Sequence, residues 1–190
     1  MFNKIVPCIL FVVIFAVEIL GQVNLPEGWF RAGSRPQDYE MTIDRDIKHN
    51  GTASARIRFI GQNPEGFGTL MQTIKADAYR GKRVRMSAWV RSDGADSAQL
   101  WMRLDGPNGS MLGFDNMDNR KITGTTDWKK YEITLDVPDS AINLAFGAFV
   151  AGKGQAWVDD FAFEIVGKEV PTTNMTLDAP TQPANLSFEK

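Results

Sequence analysis

The chain has 190 residues, 43% of them hydrophobic and 23% charged, which is an ordinary globular composition and enough for one domain with a sizeable core. Its formal net charge of −2 argues against general nucleic-acid binding, which needs a basic face. With one cysteine and one histidine, the composition also excludes sites built from several thiolates or imidazoles.

The N-terminal segment, residues 1–21, has the composition of a signal peptide. Lys4 precedes the apolar run Ile5–Ala16, which continues around Glu18 and is short for a membrane span. We expect cleavage near Gly21, and hence an exported protein that is periplasmic, extracellular or at the cell surface. The alternative is an uncleaved anchor, which would place the chain at a membrane. Because Cys8 lies in this segment, the mature domain would contain no disulfide.

Residues 22–167 are predicted to form one antiparallel β-sandwich of the jelly-roll type. Short stretches that alternate apolar and polar residues are separated by Gly, Pro, Asn and Asp clusters, and no stretch sustains a helical period. Residues 168–184 are Pro- and Thr-rich and predict an extended segment, and residues 185–190 predict a terminal strand. The predicted strands are Tyr39–Asp44, Ala53–Ile60, Thr69–Ile74, two arms within Val84–Asp105, Met111–Asp115, Tyr131–Val137, Ile142–Val150 and Ala156–Val166.

The stretch Val84–Asp105 is predicted to be the central hairpin. Its two alternating arms flank the polar sequence SDGADSA, which has the composition of a turn. Closure about Ala95 would place Trp89 opposite Trp101 and Arg85 opposite Asp105. The apolar faces of the arms are predicted to lie in the core: Val84, Met86, Ala88, Val90, Leu100, Met102 and Leu104.

The polar faces of this hairpin are the predicted ligand surface. An indole on each arm would form an aromatic platform, and polar side chains at its edge could fix the orientation of a planar or sugar-like ligand. The alternative is that a loop or the N-terminal segment covers both indoles. The predicted ligand-binding residues are Trp89, Trp101, Gln99, Arg103, Arg85, Asp115, Asn116 and Asn143.

Three motifs in chain order carry a family resemblance: HNGTASARI, TDWKKYEITLDVP and AGKGQAWVDDFAFEIV. Together they resemble the galactose-binding-like β-sandwich domains, which include many carbohydrate-binding modules of bacterial enzymes. The resemblance covers roughly Pro26–Val166. It implies two antiparallel sheets of about five strands each and a ligand surface on the concave face, and it leaves the ligand open.

The resemblance also implies a first strand and a structural calcium ion. The family's N-x-x-F-E strand is absent before the Trp29 loop, whereas NLSFEK ends the chain. Asn185–Lys190 is therefore predicted to fill the first-strand position, the alternative being that it begins a second domain. Calcium ligands carried over from the family are Glu189, Asp160 or Asp159, and the loop that begins at Asp44. The alternative is that the two adjacent aspartates only end or solvate a strand.

The sequence contains none of the familiar catalytic motifs. The histidine, His49, lies in a predicted turn, and the sequence has neither a G-x-S-x-G elbow nor a phosphate loop. The candidate carboxylate pairs for glycoside chemistry are Asp105 with Asp115 and Asp159 with Asp160. The sequence therefore predicts a secreted, non-catalytic module that binds a carbohydrate. The alternative is a protein-interaction or sensor module of the same fold.

Overall fold

The computed structural model describes residues 25–173 and 186–187. The predictions for the N-terminal segment and for most of the terminal strand lie outside these residues. Within the described part of the chain, no helix combines the length and apolar character that crossing a membrane requires. Three short 3-10 turns occur at Pro36–Asp38, Pro107–Gly109 and Asp118–Arg120. The strands are β1 (Phe30–Gly33), β2 (Tyr39–Asp44), β3 (Ser54–Phe59), β4 (Phe67–Lys75), β5 (Arg83–Asp105), β6 (Met111–Asp115), β7 (Ile122–Asp136), β8 (Asn143–Ala151) and β9 (Gln155–Val166).

The period-2 pattern correctly predicts most of the strands, whereas β1 and the first half of β7 are not among the predicted strands. β2 and β6 begin and end where the sequence predicts. In each of the two halves of β5, residues 84–90 and 98–104, every second residue is buried in the hydrophobic core, as the alternation requires. The predicted core residues of this stretch are confirmed, with exposures of 0 or 1%: Val84, Met86, Ala88, Val90, Leu100, Met102 and Leu104.

The predicted central hairpin is wrong, because β5 is one continuous strand of 23 residues. The polar stretch SDGADSA does not reverse the chain, since Asp93 pairs with β9 and Ser97 pairs with β8. Gly94, with φ of 56°, bends the strand between these two partners. Trp89 and Trp101 therefore lie on the same strand, and neither is opposite the other.

The bend in β5 divides the molecule into two sheets, which confirms the predicted sandwich. Sheet 1 has the order β2-β3-β9-β5-β7 and uses residues 83–93 of β5 with the second half of β7. Sheet 2 has the order β1-β4-β8-β5-β6 and uses residues 97–105 of β5. All the strand pairs between described residues are antiparallel, and β5 contributes to both layers.

Large side chains from both sheets meet between the layers. Phe146 of β8 packs edge-on against Phe163 of β9, with ring centroids 4.7 Å apart. Trp29, which precedes β1, contacts Phe146 and Phe161 at 5.7 and 5.1 Å between centroids. These apolar contacts hold the sheets together without a disulfide in the described residues, in accordance with the single cysteine of the sequence.

The segment that follows β9 folds back on the edge of sheet 1. Arg83 donates hydrogen bonds to the carbonyl oxygens of Lys168 and Val170 at 2.8 and 2.5 Å. The N–H of Thr173 donates to the carbonyl of Thr134 at 2.8 Å, in β7. Residues 167–173 thus cover part of the open edge of β7.

Candidate functional site

The predicted ligand-binding residues are divided between two opposite faces of the sandwich. Since Leu100 and its alternate neighbours point into the core, the residues between them point outward from sheet 2. The predicted residues on this outer surface are Gln99, Trp101, Arg103 and Asn143. Arg85 and Trp89 point outward from sheet 1. The single platform that the hairpin prediction implied does not form.

The outward side chains of sheet 2 form a grid that follows the strand register, and we call it the sheet 2 face. One row crosses the sheet through Phe30, Met71, Gly147 and Trp101, and these residues are paired across four strands. The rows on either side comprise Thr69, Phe149 and Gln99, and Thr73, Ala145, Arg103 and Phe114.

Trp101 forms the floor of the sheet 2 face. Only 8% of its surface is exposed. Its indole Nε1 donates to Thr69 Oγ1 at 2.8 Å, and Thr69 lies on β4, two strands away. The ring therefore extends across β8 at Gly147, where a Cβ atom would lie 2.2 Å from the carbonyl oxygen of Leu70. Trp101 is held in place as a support and offers little area for direct stacking.

Exposed phenylalanines, which the sequence analysis did not select, provide the aromatic surface of this face. Phe30 and Phe67 are 44% and 37% exposed. Phe67 packs against Phe149, with ring centroids 5.4 Å apart. The available signal was their position on the outward side of alternating strands, where an aromatic residue gains no core burial.

Gln99 connects this face to the loop that follows β6. It is 3% exposed, and its amide accepts a hydrogen bond from Ser97. Its Nε2 donates to the backbone carbonyl of Asn116 at 2.6 Å. The amide thus fixes the loop at Asn116 beside Trp101 and has limited capacity left for a ligand.

A charged pair lies at one edge of the grid, where β5 ends at Asp105. Arg103 Nε and Nη2 donate to the two carboxylate oxygens of Asp105 at 2.6 and 3.1 Å. This hydrogen bonding raises the pKa of the Arg103 guanidinium, which stays charged. Asn143 lies directly opposite Asp105 in the register, so an amide, a guanidinium and a carboxylate are grouped there.

Asp115, one of the predicted ligand-binding residues, lies in the interior, below the sheet 2 face, and is not on the ligand surface where the sequence places it. Its side chain is fully buried and accepts hydrogen bonds from Arg120 at 2.6 and 3.1 Å. It also accepts the N–H of Met117, a residue with φ of 59°. This cluster holds the loop that carries Asn116 in place.

On the outer face of sheet 1, the loop between β2 and β3 covers Trp89. The His49 ring stacks on the indole at 3.9 Å between centroids and 14° between planes. Trp128 approaches the imidazole edge-on at 5.7 Å. For Trp89 the alternative that a loop covers the indole is therefore correct.

Two adjacent aspartates hold that loop in place. Asp159 Oδ2 accepts the backbone N–H groups of His49 and Asn50 at 2.9 and 3.1 Å. His49 Nδ1 lies 2.8 Å from Asp160 Oδ2, and Asp160 adopts a left-handed φ of 51° at an irregularity of β9.

The charges of Arg85 are compensated on the same face of sheet 1. Its guanidinium pairs with Glu164 and lies 3.8 Å from Glu132. The hydrogen bond to Glu164 and the charge of Glu132 raise the pKa of Arg85. An acidic ligand would have to compete with both carboxylates.

The described residues do not by themselves assemble the expected calcium site. Asp44 accepts N–H groups from Asp46, Ile47 and the Trp157 indole. Burial raises its pKa, but these donors and Arg56 outweigh that effect and lower it overall. Within residues 25–173 and 186–187, no three His, Cys, Asp or Glu side chains converge as metal ligands would. Glu189 lies outside the described residues, so calcium stays a prediction.

Comparison with known proteins identifies one curated relative of high identity. The chain is 44% identical over 168 residues to an uncharacterized HTH-type transcriptional regulator, YbfP, of Bacillus subtilis (strain 168). The match covers 86% of this chain and 57% of the regulator, so the chain spans little more than half the length of that relative. No family model matches the sequence.

Solved structures of low sequence identity share the fold. The enzymatically active domain of tailspike protein 4 from Bacteriophage CBA120 matches with a TM-score of 0.59 and 13% identity, over 74% of this chain and 20% of that one. The CBM22-1 xylan-binding domain of Paenibacillus barcinonensis Xyn10C matches with a TM-score of 0.55 and 15% identity, over 75% of this chain and 88% of the module. The chain thus has the galactose-binding-like β-sandwich fold of carbohydrate-binding modules, as the sequence predicts.

Proposed function

We propose that this chain is a non-catalytic module that binds a carbohydrate on the sheet 2 face. The observation that carries the proposal is that exposed and half-buried phenylalanine rings lie on the same outward face of sheet 2 as the fixed indole of Trp101. Phe30 and Phe67 lie on neighbouring strands and expose 44% and 37% of their surface. Aromatic faces exposed on a sheet suit the apolar C–H faces of pyranose rings.

The polar groups of the face supply the hydrogen bonds that a sugar requires. The Arg103 side chain is 43% exposed, and the Asp105 side chain to which it binds is 24% exposed. Together with the amide of Asn143, they present donors and acceptors within one corner of the grid. A neighbouring pair of hydroxyl groups can donate to the carboxylate and accept from the guanidinium or the amide.

A glycan panel tests this proposal. The full chain is titrated with soluble xylan, β-1,4-galactan and their oligosaccharides by isothermal titration calorimetry. Phe30→Ala and Arg103→Ala are expected to weaken binding at least tenfold while the circular dichroism spectrum is unchanged. Trp89→Ala, which removes an indole from the opposite sheet, is the matched control and is expected to bind as the wild type does. Loss of binding in Trp89→Ala alone, or no binding to any glycan, would contradict the proposal.

The regulator relative favours a second candidate, a sensor module that binds a small saccharide and passes the signal to another domain. Both candidates use the same face, but a sensor needs a soluble small ligand, whereas a targeting module needs a polymer. Affinity for a monosaccharide equal to that for a hexasaccharide would favour the sensor. Binding that strengthens with chain length would favour the polymer module.

The proposed export from the cell also separates the candidates. A signal peptide would deliver the chain outside the cytoplasm, whereas a DNA-binding regulator acts on the chromosome. Fractionation of cells that express the tagged full chain, with sequencing of the mature N-terminus, measures this directly. Cleavage near Gly21 would support export, and a retained, cytoplasmic N-terminus would support the sensor.

A further inference from the structure

A cavity of about 300 Å³ opens between the two sheets at the end of the sandwich where β2 leads into β3. It lies away from the sheet 2 face, because its walls belong to the inner surfaces of the sheets. Ile57 and Val158 contribute from sheet 1, and Leu70 and Ala148 contribute from sheet 2. Trp29 lies along one side. These are core positions, yet the space among them is not filled by the described side chains.

Alanine residues create this space. Ala55 faces inward beside Val158, with which it is paired in the register. Ala148 is paired with Leu70 on one side and Leu100 on the other. Because protein interiors pack as tightly as organic crystals, methyl side chains at neighbouring inward positions leave a gap that a ligand can fill.

The polar side chains around the cavity are already satisfied within the protein. The Ser54 hydroxyl donates to the carbonyl of Ile47 at 2.6 Å. The carboxylates of Asp159 and Asp160 bind the His49 backbone N–H and ring, as described above. None of the described lining residues is a lysine or an arginine. A ligand with a carboxylate or phosphate would lose its hydration there and gain no cation in return.

We propose that this cavity binds a compact, neutral, apolar molecule of about the size of a two-ring aromatic. An apolar cavity of about 150 Å³ accommodates benzene, and twice that volume accommodates a fused bicyclic ring. The bound molecule would contact both sheets and complete the packing at this end of the core. This site is separate from the proposed carbohydrate surface.

The probe is 5-fluoroindole, titrated into the full chain and followed by ¹⁹F NMR. We expect saturable binding to the wild-type chain. Ala55→Leu fills the cavity and is expected to weaken binding at least tenfold. Ala162→Leu makes the same change at an exposed position of β9 and is expected to leave binding unchanged. Ala53→Leu, nearer the mouth of the cavity, replaces Ala55→Leu if the latter fails to fold by circular dichroism.

Two results with 5-fluoroindole would overturn the proposal. One is the absence of saturable binding, and the other is equal affinity in a folded cavity-filling variant. 5-Fluoroindole-3-acetate carries a negative charge and is expected to bind at least tenfold more weakly than 5-fluoroindole. Equal affinity of the two probes would contradict the proposal that the ligand is neutral. Phe30→Ala is expected to bind 5-fluoroindole normally, which separates this site from the sheet 2 face.

Discussion

At the residue scale, the buried carboxylate of Asp115 and its partner Arg120 make the strongest prediction about stability. The carboxylate is fully buried and receives two hydrogen bonds from the guanidinium, whereas the Arg120 side chain is 32% exposed, so removal of Arg120 leaves a buried, uncompensated charge. Breaking a buried pair of this kind costs about 3 kcal/mol or more. We expect Arg120→Ala to lower the free energy of unfolding by about 3 kcal/mol in urea denaturation. Asp115→Ala leaves a guanidinium that solvent reaches, and we expect it to lower the free energy of unfolding by less.

The double variant provides the control for that pair. If the two side chains act on each other, the loss in the double variant is smaller than the sum of the single losses. Additive losses would contradict the role assigned to the pair. Arg103→Ala tests a more exposed pair on the same side of the molecule, and we expect a loss of at most about 1 kcal/mol.

Asp136 makes a prediction about pH at the same scale. Arg83 donates to its carboxylate at 2.8 and 2.9 Å and holds its pKa well below the usual range, although burial opposes this, and Lys168 adds to the lowering. A lowered pKa contributes stability that is present above the ordinary carboxyl pKa of about 3.9 and is lost as pH falls toward the folded-state value. We expect Asp136→Asn to be less stable at pH 7 and the difference to shrink below about pH 4. A difference that stays constant from pH 7 to pH 2 in thermal unfolding would contradict this assignment.

At the element scale, β5 shows what sequence patterns can predict and where they fail. Alternation correctly predicts that Val84 and Leu104 face the core, because the two-residue period follows from strand geometry. The turn prediction fails because the Ser, Asp and Gly residues of SDGADSA also occur where a strand bends and passes from one sheet to the other. The difference is set by the pairing of this stretch with β8 and β9, in which Ser97 lies opposite Ala151 and Asp93 opposite Gln155.

The candidate site was predictable only in part, for a similar reason. Every second residue of a strand points to the same side of the sheet, and this alternation places four of the predicted residues on one face: Gln99, Trp101, Arg103 and Asn143. The support of Trp101 by Thr69 depends on a contact across two strands that no local pattern contains. The β2–β3 loop likewise covers Trp89 because Asp159 of β9 accepts hydrogen bonds from the loop backbone, which is also a contact between distant parts of the sequence.

That loop gives a prediction at the element scale. Asp159 accepts two backbone N–H groups, from His49 and Asn50, and thereby holds the loop between β2 and β3 on sheet 1. We expect Asp159→Ala to raise hydrogen exchange at these two amides at least tenfold, as local opening becomes easier. Asp46→Ala changes an exposed residue of the same loop and serves as the control. Unchanged protection in Asp159→Ala would show that the loop is held by other contacts.

At the scale of the whole molecule, Tyr39 connects separate parts of the sandwich. Its fully buried side chain, on β2, directs the hydroxyl group to the carbonyl oxygens of Gly66 and Gly152, each at 3.1 Å. These glycines lie in the connections before β4 and after β8. Tyr39→Phe removes the hydroxyl and leaves both acceptors without this donor, which is expected to cost about 1 to 2 kcal/mol.

Thermal and urea unfolding of Tyr39→Phe measure this cost for the cooperative unit. Tyr131→Phe, at a half-buried position of β7, is the matched control and should change stability less. Equal stability of both variants and the wild type would mean that the hydroxyl does not couple the two connections.

The place where a glycan binds tests the proposed sheet 2 face most directly. The direct measurement is an amide and indole N–H chemical-shift titration of the ¹⁵N-labelled chain with xylohexaose or with another oligosaccharide that binds in the panel. We predict that the shifts concentrate at Phe30, Phe67, Arg103 and Phe149 and include the Trp101 indole N–H. Shifts centred on His49 and Trp89, or none with any glycan, would contradict the proposal that sheet 2 carries the binding face.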